Sequence, residues 1–166
     1  CLRLVGSEMC IRDRADCNQF RLQEGINLQK ALVASHEKIR HGLSEVEKLD
    51  PGRIENLKNR IYHSLEEVKQ RIQIDQNRFE QELIYYIEKL DLTEEKIRLG
   101  SHLDYFIDVI NNDQGVSGKK LGFLCQELGR EINTIGSKAN DAGIQRSVVG
   151  MKEELEKIKE QILNIL

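Results

Sequence analysis

From Ile144 to the C-terminus, apolar residues return at steps of 4, 3, 4, 3, 4 and 3: Ile144, Val148, Met151, Leu155, Ile158, Ile162 and Ile165. A strand alternates its side chains with period two, so these three heptads cannot share one face of a sheet. On a helix they make a single stripe that calls for a partner helix along its length. The same period runs through the chain. Leu28, Leu32, Ile39, Leu43 and Val46 form one stripe, and Ile54, Leu57, Ile61, Leu65 and Val68 a second. Phe79, Leu83, Tyr86 and Leu90 are expected to face inward from a third helix, and Leu99, Leu103, Phe106 and Ile110 from a fourth. Leu121, Leu124, Leu128, Ile132 and Ile135 do so from a fifth. With one proline, no tryptophan and 32% charged residues, the composition suits long helices. The expected fold is all-α: long amphipathic helices in an extended antiparallel helical bundle, with a coiled-coil-like C-terminal helix. No fixed-period repeat marks a solenoid.

The boundaries come from capping residues. At KLDPGR a helix is expected to stop, with Asp50 as cap and Pro51 in the first turn of the next helix. Asp75 is placed to cap the third helix. Asp91 or Thr93 caps the fourth, where Glu94 and Glu95 suit the positive end of the helix dipole. NNDQGVSG, residues 111–118, reads as a loop. VGSEMCIRDR, residues 5–14, fits no helix or strand pattern, and one back-translation of it resembles the end of a sequencing-library adapter. Residues 1–14 are therefore expected to be an artefactual, unstructured leader. Residues 15–74 are read as a helical hairpin, and 75–166 as the helical domain that carries the site motifs.

Net charge is −3, so bulk electrostatics do not call for a nucleic-acid partner. No apolar run is long enough to span a membrane, and no secretory signal is visible. Without the leader, the cysteines are Cys17 and Cys125. They are far apart and lack CxxC spacing, which points to a reducing cytoplasm and no zinc site. Cys125 falls on an apolar helix side and is expected to be a buried, inert thiol.

QELGREINTIGSKAND, residues 126–141, carries an unusually varied polar face. At about 100° per residue, Glu127, Glu131, Thr134 and Lys138 share one arc, beside Arg130, Gln126 and Asn133. Two carboxylates one turn apart can hold a divalent cation, and Arg and Lys can grip phosphate. The competing reading is a solvated face of i,i+4 pairs. In EEKIRLGSH, Glu95, Arg98 and His102 share a face, and a half-buried histidine beside a carboxylate can trade protons near neutrality. Glu82 borders the Phe79/Tyr86 stripe. His36, His41 and His63 lie on polar stretches without a partner pattern and receive no role.

The motifs QEL..REINTIGSKAND, EE..RL.SHLDYF, FEQEL and VV.MK.ELEKIKEQ..NI occur in one order along the chain. Together they resemble the C-terminal half of the YicC/YloC family of bacterial endoribonucleases, from about Gln23 to the C-terminus. The resemblance covers Gln81 and Glu82; Glu94, Glu95, Arg98, Ser101 and His102; Gln126, Glu127, Arg130, Glu131, Asn133 and Thr134; and Ser137 and Lys138. Gly122 stands where the family has Asp, and Gly143 and Gly150 stand where acidic residues are usual. Each is one base change from an acidic codon.

This resemblance implies a cytoplasmic, metal-dependent enzyme that cleaves single-stranded or structured RNA, assembled as a ring-like homo-oligomer such as a hexamer. On that footing Glu82, Glu127 and Glu131 are expected to bind Mn²⁺ or Mg²⁺. His102, oriented by Glu95, moves the proton, so Glu95, His102, Glu127 and Glu131 form the catalytic set. Arg98, Arg130 and Lys138 meet phosphate, and Asn133 or Thr134 meets ribose. The family's N-terminal domain, expected to supply part of the RNA surface, is largely absent. Two alternatives stay open: a non-catalytic helical oligomerisation or adaptor module, and an RNA-binding domain without chemistry.

Overall fold

The computed structural model describes residues 2–69, 75–112 and 118–163, with side chains at residue 14 and over 16–67, 75–112 and 118–163. Five helices follow one another: α1 (Leu2–Lys69), α2 (Gln76–Lys89), α3 (Thr93–Asn112), α4 (Gly118–Ala139) and α5 (Ala142–Ile162). No strand occurs among the described residues, so the all-α expectation holds.

Side-chain contacts set the topology. Lys38 of α1 reaches Glu154 of α5, and an added Cβ at Gly42 would meet Met151. His36, Arg40 and Asp50 of α1 reach Leu103, Asp104 and Lys96 of α3 in turn. Lys138 at the end of α4 reaches Glu95 at the start of α3. Gly129 and Gly136 of α4 lie against Leu155 and Val148 of α5. Each neighbouring pair is therefore antiparallel, and α1, α3, α4 and α5 form an up-down-up-down four-helix bundle. The predicted stripes fill its core: Leu32, Ile39, Leu43 and Val46; Leu99, Leu103 and Phe106; Leu121, Leu124, Leu128, Ile132 and Ile135; and the α5 heptads through Ile162. Ile165, the side chain of Val68 and residues 113–117 of the predicted loop lie outside the described residues.

Three expectations are corrected. α1 does not stop at Asp50-Pro51, so residues 15–74 are not a hairpin broken there. Its 68 residues run through Pro51 as one helix of about 100 Å. A mid-helix proline costs about 3 kcal/mol. Here the flanking turns are held from outside by buried Val46, Asp50 and Arg53. The leader is not unstructured either, since the backbone is helical from Leu2. Once α1 is nucleated, each added residue gains a hydrogen bond without paying nucleation again. Finally, Tyr86 faces solvent at 53% exposure. α2 meets the part of α1 beyond the bundle where the ring of Phe79 stands edge-on to that of Tyr62, and its Leu83 is buried. Half-buried Ile87, one turn after Leu83, is covered in place of Tyr86.

Asp75 caps α2 as expected, accepting from the N–H groups of Asn77 and Arg78. Asp91 accepts from the N–H and hydroxyl of Thr93. Asp141 caps α5, after a turn in which Asn140 takes φ 37°, a left-handed conformation that asparagine tolerates.

The α1–α5 contact is tight at Gly42, where an added Cβ would stand 2.5 Å from Met151 Cγ. Gly150, on the outer face of α5, has nothing within 4 Å of an added Cβ. Gly42→Ala is expected to lower stability by about 1–2 kcal/mol, and Gly150→Ala to raise it by about 0.5–1 kcal/mol. Urea unfolding of the two variants checks both signs. Glu154 supplies a pH-dependent counterpart. The ammonium of Lys157, with Lys38 and the hydroxyl of Ser35, outweighs burial and holds its carboxyl at about 2 instead of 4.5. This contribution is present above about pH 4.5 and is lost as pH falls towards 2. Acid unfolding should show that loss in the wild type and a shallower one in Glu154→Gln.

Candidate metal centre on the α3–α4 seam

The antiparallel register of α3 and α4 determines which polar residues meet. Near the start of α3, Lys138 Nζ donates to Glu95 Oε1 at 2.7 Å and to the Asp91 carbonyl at 3.2 Å. Glu95 is buried, and its Oε2 has no partner among the described residues. Two turns along the seam, His102 comes opposite Glu127 and Glu131. One ligand atom from each of the three lies within 4.8 Å of the others. His102 and Glu127 are half-buried, and Glu131 is only 4% exposed. Among the described residues, none of the three has a hydrogen bond or ion pair to another group.

Two carboxylates one turn apart on one helix repel each other. One imidazole nitrogen and two carboxylate oxygens converging on one point suit a divalent cation such as Mn²⁺ or Mg²⁺. On this donor chemistry the residues fit the metal that the sequence motifs imply. The geometry revises two of the predicted roles. Glu95 is tied to Lys138 and does not orient His102, which stands about 10 Å further along α3. Glu82 is exposed on α2 and is not part of the cluster, so two helices build it and not three.

The predicted RNA contacts divide in two. Arg130 and Asn133 are exposed, and Arg130 has no ion pair among the described residues. Thr134, half-buried, donates its hydroxyl to the Arg130 carbonyl at 3.0 Å, which leaves the oxygen free to accept. Arg98 is exposed but paired with Glu94. Lys138 is occupied by Glu95 and Asp91 and serves as a tie between helices. Cys125 is buried, and its thiol is pushed up to about 12 by desolvation, as an inert core thiol should be.

Three buried groups escaped the sequence reading. His36 donates from Nε2 to the Leu103 carbonyl at 3.0 Å and stacks on Phe106, while Nδ1 has no partner among the described residues. Burial lowers its pKa, and the Leu103 carbonyl works against that. Its one legible signal was its position three residues before Ile39, at the edge of the first stripe. Asp50 and Arg53 are the other two. Arg53 donates to Asp50 Oδ1 at 2.7 Å and to the Leu90 carbonyl at 2.9 Å, and Lys96 donates to Asp50 Oδ2 at 2.7 Å.

Lys138→Met would leave Glu95 buried and unpaired. A loss of roughly 2 kcal/mol or more is expected in denaturant unfolding, recovered in part by Lys138→Met with Glu95→Gln.

No helix among the described residues is long and apolar enough to cross a membrane. Residues 46–166 match the family model "Endoribonuclease YicC-like, C-terminal". The chain is 36% identical over 148 residues to the "Probable endoribonuclease YicC" of Clostridioides difficile (strain 630), covering 89% of this chain and 50% of that protein. It is 31% identical over 146 residues to the protein of the same name from Haemophilus influenzae, covering 88% and 50%. The chain thus spans about half the length of these relatives. With the family model matching most of its residues, the chain belongs to the YicC-like endoribonuclease family, in its C-terminal segment.

Proposed function

We propose that this chain carries the catalytic centre of a metal-dependent endoribonuclease that cleaves RNA phosphodiester bonds, with His102, Glu127 and Glu131 holding Mn²⁺ or Mg²⁺. The observation behind this reading is the convergence of these three unpaired groups, one of them on Glu131, a residue only 4% exposed. When bound, such an ion supplies Lewis-acid polarisation of the phosphate and a more acidic water. The chain's own residues do the rest. Arg130, one turn from Glu127, next to Glu131 in the chain and free of ion pairs among the described residues, meets phosphoryl charge. Arg98 does the same on exchanging Glu94 for phosphate. Thr134 accepts from, and Asn133 donates to, a ribose hydroxyl, the group that distinguishes RNA from DNA. With His102 among the ligands, Glu127, the more exposed carboxylate, takes the proton from the attacking oxygen. Glu95 holds the far end of the seam through Lys138.

The setting is cytoplasmic, with RNA as the partner. Both ends of α1 run past the bundle and carry exposed apolar side chains, Phe20 and Leu22 at one end and Tyr62 at the other. These suit association with further copies of the chain, in a ring such as a hexamer. Glu82 enters a metal centre only if another copy supplies it.

Calorimetry with Mn²⁺ should show binding that weakens about tenfold or more in Glu131→Gln and in His102→Ala. Labelled RNA should be cut in Mn²⁺, spared in EDTA, and cut about a hundredfold more slowly by Glu127→Gln. Cleavage that persists in EDTA and yields cyclic phosphate ends would replace this mechanism with attack by the 2′-hydroxyl.

A further inference from the structure

Beside the proposed cation cluster the seam carries two outward-facing aromatic rings that the core does not use. Phe123 lies on α4 one turn before Glu127 and is 62% exposed. Tyr105 lies on α3 one turn after His102, is 47% exposed, and has Lys120 Nζ 5.4 Å from its ring centroid. Because α3 and α4 are antiparallel, both rings stand on the same side of the cluster. At about 100° per residue, Phe123 shares its arc of α4 with Lys119 and Arg130. Lys119 is one turn before it and Arg130 two turns after. Both are exposed, and neither has an ion pair among the described residues. An exposed phenylalanine by itself is ordinary. This one has unpaired cations on either side along the helix and a second ring across the seam. It also continues directly into the cluster proposed to act on phosphate.

We infer that Phe123 and Tyr105 form a stacking platform for one unpaired RNA base next to the scissile phosphate, with Lys119 and Arg130 holding the phosphates on either side. The inference rests on the endoribonuclease reading and makes it more specific: the substrate is a single-stranded segment. A base within a duplex is already stacked and cannot offer its face to a ring, whereas an unpaired base can, whatever its identity. The platform therefore selects for strand state and not for sequence. Phe123 is a specificity residue that touches substrate without taking part in the chemistry.

The test titrates the full chain, in metal-free buffer, into a single-stranded oligoribonucleotide containing 2-aminopurine, whose fluorescence falls when it stacks. Wild type should quench the probe. Phe123→Ala should bind about tenfold more weakly or worse and lose the quench. Phe123→Trp should restore both, whereas Phe123→Leu, which keeps the apolar bulk without a π face, should not. Mn²⁺ affinity by calorimetry should be the same in all four proteins, which separates stacking from damage to the seam. Unchanged affinity and quench in Phe123→Ala would overturn the inference, as would rescue by leucine. A change in sedimentation of Phe123→Ala would assign the ring to a protein contact instead. If the Phe123 variants cut single-stranded RNA as the wild type does, the platform fails and the nuclease stands. If the wild type neither binds Mn²⁺ nor cuts RNA, the nuclease fails, and a quench lost in Phe123→Ala would then describe RNA binding alone.

Discussion

The guanidinium of Arg53 sets the register on which the rest depends. Projecting from α1, it donates to Asp50 on its own helix, to the Leu90 carbonyl after α2, and to the Lys138 and Ala139 carbonyls at the end of α4. Those last carbonyls have no partner within their own helix, and a cation suits the negative end of the helix dipole. Lys96 brings α3 into the same knot through Asp50. One planar cation thus fixes where α4 ends relative to where α3 begins. Lys138 then reaches Glu95, and two turns along the same seam His102 faces Glu131 rather than a neighbour one turn away. The candidate site is a consequence of register, and the register is held some 10 Å away, about two helical turns.

This explains which parts of the molecule could be read in the sequence. Apolar periodicity is a local property, and Leu32 to Val46, Leu121 to Ile135 and Ile144 to Ile162 all face the core as their spacing implies. Asp75 caps α2 for the same reason, since a cap acts within three residues. At Pro51 local signals misled. Asp followed by Pro is a helix start wherever nothing else holds the chain, but here Asp50 serves a buried ion network and the helix continues. Tyr86 misled in a similar way, because the number of neighbours around α2 decides how wide its buried stripe is, and spacing does not carry that number.

The site was legible as a set of residues but not as a set of pairs. Glu127 and Glu131 are one turn apart on one helix, so their proximity follows from α4 alone. Their meeting with His102 depends on how two helices slide against each other. Glu95 and His102 share a face of α3, and that tempting local relation turned out to be the wrong one. Seen from α3 alone, nothing distinguishes a carboxylate that will meet a histidine on its own helix from one that will meet a lysine on the next.

The α3–α4 seam also contains its own control. It holds two glutamates of low exposure, Glu95 at 5% and Glu131 at 4%, between the same helices. Glu95 is answered by an ammonium of this chain at 2.7 Å. Glu131 is answered by no cation of this chain among the described residues, and Glu127 and His102 are turned towards it. A lysine at the position of Thr134, one turn from Glu131 on the arc shared with Glu127, would have neutralised it by the means already used for Glu95. The chain places there a hydroxyl whose oxygen can still accept. The same pair of helices thus meets Glu95 with a lysine of this chain and sets Glu131 beside a histidine and a second carboxylate.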